Sequence, residues 1–182
     1  MDTATVPTRT ITATPRDLAV NGLVLGFAGA MWLSWGQSGA PAGWAVPLTI
    51  MSAVGIIVAI VGAVRTWQHR HGESAMSQLQ GRRTYQRVVI LEALIIAGGA
   101  TALGITGHSA YIAAWVLFIV GAHFVPLGRL FRIDSLVVVG ILVIMVSVGA
   151  AIAGLLGTIA PTAIAGGVGG VLLILFGAWS LR

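Results

Sequence analysis

The stretch LVVVGILVIMVSVGAAIAGLL at 136–156, followed by GTIA at 157–160 and PTAIAGGVGGVLLILFGAWSL at 161–181, decides the fold. Its first run holds 21 consecutive residues without a charge. A helix rising about 1.5 Å per residue crosses the ~30 Å hydrocarbon core of a bilayer in that length. Arg132 stands just before the two runs and Arg182 just after them, while the turn between them is uncharged. Two apolar helices joined by a short neutral turn, with arginine at both open ends, make a transmembrane hairpin. Basic residues are held on the cytoplasmic side during insertion, so the open ends face the cytoplasm.

The same plan recurs upstream. Apolar runs at about Leu18–Gly36, Ala45–Val64, Val88–Thr106 and Ala110–Val125 join Leu136–Leu156 and Pro161–Leu181 to give six spans. Arg9 and Arg16 precede the first. Arg65, Arg70, Arg82, Arg83 and Arg87 crowd the second connection, and Arg129 and Arg132 the fourth. The other connections, Gln37–Gly43, Gly107–Ser109 and Gly157–Ala160, carry no Arg, Asp or Glu. All the basic residues thus fall on one side, and both termini are expected in the cytoplasm. Arg65, Arg82, Arg83, Arg87, Arg129 and Arg132 read as interfacial anchors. The fold class expected is an all-α six-helix transmembrane bundle built from three hairpins, with residues 17–182 as one domain. Residues 1–16, where threonine alternates with small residues, read as a disordered cytoplasmic tail. The first apolar run exceeds the 7–15 residues of a signal-peptide core, which favours a retained span.

Composition narrows the function. With 57% hydrophobic and 8% charged residues, the chain lacks the polar surface of a soluble domain, where about a quarter of residues are charged. The net charge of +5 sits in juxtamembrane loops, so topology and attraction to lipid headgroups account for it without nucleic acid. There is no cysteine, which removes disulfides, thiolate metal sites and thiol catalysis. There is also no lysine, which removes a retinal Schiff base. The Ala, Gly and Val bias fits a GC-rich bacterial genome. No nucleophile elbow, HExxH, phosphate-binding glycine loop or paired catalytic carboxylates occur, so no catalytic residue, cofactor or enzyme activity is assigned.

The even-numbered spans end alike, in Ile60-Val61-Gly62-Ala63, Ile119-Val120-Gly121-Ala122 and Leu175-Phe176-Gly177-Ala178. The Gly-Ala pairs lie 59 and 56 residues apart, as a parallel repeat of hairpins requires. Against this stands the frequency of the dipeptide in a chain with 25 glycines. Gly22, Gly26 and Ala30, Ala150 and Gly154, and Gly166 and Gly170 are spaced four apart. Such spacing lets helix backbones approach, either within one chain or in a homo-oligomer. Trp32, Trp35, Trp44 and Tyr111 are expected at the outer interface, with Trp67, Tyr85 and Trp179 at the inner one.

Glu92 and His123 are the ionisable residues well inside predicted spans. They lie sixteen residues before and fifteen after His108, at the centre of one hairpin's turn, so antiparallel helices bring them to matched depth. Glu92 shares a face with Ile96 and Gly99, which leaves room for a partner. Asn21 lies at a similar level on the first span, above Leu25, Gly29 and Trp32. Glu92, His123 and Asn21 are therefore the candidate intramembrane polar cluster. Ionisable groups in a membrane are costly unless paired or hydrated. The trio reads either as a hydrogen-bonded structural cluster, as a proton or small-ion site, or as interfacial residues satisfied by Arg87 or Arg129. His69-Arg70-His71 with Glu73 has the spacing of a divalent-metal site, but two imidazoles in a flexible arginine-rich loop make a poor one, and no metal is assigned. Pro126 disfavours helix at Val125, which predicts that the fourth span breaks there. Leu127, Leu130 and Phe131 then suit a short interfacial helix or an arginine-anchored turn.

The three-hairpin plan, with apolar outer turns and the endings Val61-Gly62-Ala63 and Phe176-Gly177-Ala178, resembles the HdeD-like family of small bacterial membrane proteins. The resemblance covers the whole chain in architecture and departs in the polar second loop and at His123–Phe131. It implies a stress-related role and carries over no site residues. The functional expectation is a non-enzymatic inner-membrane protein with a structural, accessory or stress-related role, partnered by the lipid bilayer. The alternative is a small channel or proton-coupled transporter using the Glu92–His123 site.

Overall fold

The computed structural model describes residues 13–72, 82–131 and 133–182, and every long element in them is a helix. The helices are α1 (Pro15–Gln37), α2 (Ala45–Gln68), α3 (Arg82–Ile105), α4 (Ile112–Phe131), α5 (Asp134–Leu155) and α6 (Pro161–Ser180). Single 3-10 turns at Ala42–Trp44 and Ser109–Tyr111 lead into α2 and α4. Five helices, α1, α2, α4, α5 and α6, are long and apolar enough to cross a membrane. The apolar part of α3 is the shorter Val89–Ile105, preceded by its arginine-rich first turns.

Local chemistry sets the helix ends. Thr14 caps α1 through a capping box: its hydroxyl accepts from Asp17 N at 3.2 Å, and Asp17 Oδ2 accepts from Thr14 N at 3.0 Å. Pro15 follows at the first helical position, where its missing N–H costs nothing. Helix therefore begins before the tail boundary placed after residue 16, while residues 1–12 of that tail lie outside the described residues. α3 and α5 end alike. Gly107 (φ +77°) and Gly157 (φ +67°) take the left-handed conformation, and the next N–H reaches back to Leu103 O at 2.8 Å and Ala153 O at 3.2 Å. This is the Schellman arrangement, which glycine reaches without a Cβ penalty.

α6 is the most buried helix and organises the bundle. α1 covers one side of it and α5 another, with α2 packed outside α1 and α4 outside α5. α3 is peripheral, resting on α4 and the turn before it. The core holds Leu25, Leu117, Val139, Val143 and Leu173, with Leu33 and Ile174 in a second cluster toward α2. Outward faces carry large apolar side chains such as Met31, Ile57, Leu94 and Leu175, each more than half exposed. A water-facing surface of this kind would associate without limit, whereas lipid hydrocarbon solvates it.

The small residues on the inner faces of α1, α2 and α6 pack against one another. Gly22, Gly29 and Gly36 recur every two turns on α1 and face Gly177, Gly170 and Gly166 of antiparallel α6. A methyl group at Gly29 would stand 2.7 Å from Gly170 O, so the backbones are in contact. A second face of α1 meets α2, where a methyl at Gly26 would stand 2.7 Å from Ala59 N. The three Gly-Ala endings have different neighbours. Gly62 meets Leu23 of its own hairpin, Gly121 meets Gly140 of α5, and Gly177 meets Gly26 of α1.

One expectation is corrected. α4 does not break at Val125; it continues through Pro126 to Phe131, so no separate interfacial helix follows it. The physical reason is packing on both sides of the proline. A methyl at Gly121 would stand 2.8 Å from Gly140 O, and one at Gly128 would stand 2.8 Å from Val137 N, so α4 is held along α5 past the break point. Trp32, toward the same end of α1 as Trp35, is buried in the bundle, 8% exposed and stacked on Trp35 at 5.3 Å between ring centres.

Candidate functional site

The second hairpin brings Glu92 and His123 together. Its antiparallel register, set by the turn at Gly107–Tyr111, opposes residues at roughly matched distances on either side of His108. Two such oppositions form the α3–α4 seam. Near the turn, Trp115 lies against Gly99, where any side chain would overlap the indole, and its Nε1 donates to Ile95 O at 3.4 Å. Two turns further along, Glu92 Oε2 accepts from His123 Nδ1 at 3.0 Å. Both side chains are partly buried, at 14% and 18% exposure. With Nδ1 directed at a carboxylate, the imidazole is fixed in orientation. The pair can hold a proton between two groups or lock two helices together.

Asn21 does not complete a trio. Its Nδ2 donates to Ser180 Oγ at 2.7 Å, and that hydroxyl donates in turn to Phe176 O at 2.9 Å. The expected cluster therefore resolves into two polar contacts, one on α3–α4 and one on α1–α6. The reason is the seam: the face of α1 that bears Asn21, Leu25, Gly29 and Trp32 is buried within the bundle, with Gly29 against α6.

Among the basic anchors, Arg65 in the last turn of α2 reaches Leu181 O just past α6, where helix carbonyls lack intrahelical partners. Arg129 is exposed in the last turns of α4. The side chains of Arg82, Arg83 and Arg87, and all of Arg132, lie outside the described residues, as does Glu73. His69 Nδ1 meets Arg65 O at 2.8 Å, and His71 Nε2 accepts from Arg70 Nε at 3.1 Å, so each ring has a nitrogen turned to protein. No group of three or more His, Cys, Asp or Glu is placed to hold a metal among the described residues.

Sequence reasoning passed over several polar contacts between helices. Ser147 Oγ donates to Ala114 O at 2.7 Å, Thr162 Oγ1 to Ala110 O at 2.8 Å, and Ser52 Oγ to Ala30 O at 3.1 Å. Each hydroxyl interrupts an apolar run, which was the available signal. Trp115 was also missed; a tryptophan in the first turn of a span, opposite a glycine, is its mark.

No family model matches this chain, and neither a curated protein nor a solved structure matches it.

Proposed function

We infer that this chain is a non-enzymatic, multi-pass protein of a bacterial inner membrane with a structural or accessory role, in which Glu92–His123 latches α3 to the bundle. The observation that carries this is the 3.0 Å ion pair on the helix with the fewest other neighbours. A helix that buries little cannot rely on close packing, and an unpaired carboxylate at that depth would oppose its insertion. The arginine distribution supports six spans with both termini in the cytoplasm, α3 being lengthened by its first turns. A stress-related role is consistent with the HdeD-like resemblance.

The test is a double-mutant cycle on Glu92→Gln and His123→Gln, followed by unfolding in detergent and by proton flux in liposomes. The latch predicts lowered stability, strong coupling between the two changes and no flux in any variant. A second reading, a proton-linked channel or carrier, is favoured by the pair's partial exposure on a peripheral helix. It predicts flux in the wild type that vanishes in a folded Glu92→Gln variant. Topology is checked separately. The cysteine-free chain accepts single reporters, and Thr158→Cys should react only with reagent supplied from outside the cell.

A further inference from the structure

We propose that the groove between α3, α4 and α5, at the end where α3 turns into α4, holds one acyl chain of a membrane phospholipid. The groove has a volume of about 590 Å³, within the range of roughly 300–1,000 Å³ for small-molecule sites. α3 contributes only Leu103 to its lining, so the adjoining faces of α4 and α5 are left open on that side. Its walls are Trp115 and Phe118 from α4, Leu103 from α3, and Val148 and Ile152 from α5.

The polarity of the walls selects the occupant. Ser147, at the deep end, has its hydroxyl committed to Ala114 O at 2.7 Å. Among the described residues no buried side-chain nitrogen or oxygen lacks a partner. A water molecule needs two to four polar partners, and the deep end offers only the acceptor lone pairs of Ser147 Oγ. Hydrocarbon meets no such requirement. The groove runs from Ser147 to Leu155 on α5, about 12 Å of helix, close to the ~15 Å depth of one leaflet. At the turn end stand His108 and Tyr111, an imidazole and a phenol, side chains of the kind that suits a headgroup region. The site is apolar below and polar at its mouth, matching a lipid tail and its ester region. Which leaflet supplies it follows from the topology proposed above; the groove does not depend on that topology.

The experiment uses the full chain reconstituted in phosphatidylethanolamine–phosphatidylglycerol vesicles, then washed in mild detergent and weighed by native mass spectrometry. The wild type is expected to retain one phospholipid per chain through washing, and Ala151→Trp, which fills the groove, to lose it. Equal retention in both overturns the proposal. Because the larger residue could impair folding, a photoreactive benzoylphenylalanine replaces Phe118 in one sample and Phe27, 55% exposed on α1, in another. Both should label lipid in the vesicle, and after washing only the Phe118 site should. Labelling lost equally at both positions, or a Phe118 adduct with a second copy of the chain, also overturns it.

Discussion

The two sides of this bundle are held in different ways. On the α1–α2–α6 side, glycines let backbones touch, and Gly29, Gly36, Gly166 and Gly170 leave no volume for a side chain. On the α3–α4 side, two side-chain keys, Trp115 on Gly99 and His123 on Glu92, do the joining, and Gly98 and Gly104 face open space. Lipid tails are as apolar as the helix faces, so burial in itself gives little drive for helices to associate. Close dispersion contact can supply that drive, and so can a polar pair. The first gives a rigid seam and the second a separable one.

The largest effect should come from breaking the rigid seam. Gly166→Val sets branched carbons against the backbone of Gly36, and an overpacked site of this kind costs about 3 kcal/mol or more. Reversible unfolding in mixed micelles should show it as a loss of most of the folded population. Glu92→Gln comes next. Removing one partner of a partly buried charged hydrogen bond costs about 1–3 kcal/mol. Hydrogen exchange should rise in α3 and stay unchanged along α1 and α6; a rise in all six helices would contradict a separable seam.

Neighbouring glycines then sharpen the contrast. Gly99→Ala must displace the Trp115 indole and should destabilise by about 1–2 kcal/mol, within the range for overpacking. Gly98→Ala meets open space and should fall within about ±0.5 kcal/mol, where surface changes lie. Between these stands Asn21→Leu, which deletes the bond to Ser180 at a cost of about 1 kcal/mol. Combined with Ser180→Ala it should add little more, because the two residues share one bond.

How far each feature was legible depended on how local its cause was. The helices followed from apolar runs, and the matched depth of Glu92 and His123 followed from a hairpin whose turn fixes the register behind it; that their faces meet did not. The Asn21–Ser180 bond joins residues 159 apart in sequence, and no local pattern states which helix α1 will face. Equal depth placed Asn21 with the wrong partners. Pro126 misled for the converse reason. A local rule was sound in itself, but packing of Gly121 and Gly128 on α5 outweighed it. Residue type places Trp32 toward the outer side, but its burial in the bundle beside Trp35 is not visible in one dimension.

The seam between α1 and α6 has a consequence for biosynthesis. Helix α1 leaves the ribosome well before α6, one of its two main partners, and more than a hundred residues separate Gln37 from Pro161. At about 5–20 residues per second, the glycine face of α1 waits several seconds or more for α6. During that interval α2 covers one flank of α1, while Gly22, Gly29 and Gly36 lie open to lipid or to whatever assists insertion. Arrival of α6 closes the bundle in one step, so nascent chains stalled before Pro161 should be far more sensitive to protease than the finished protein.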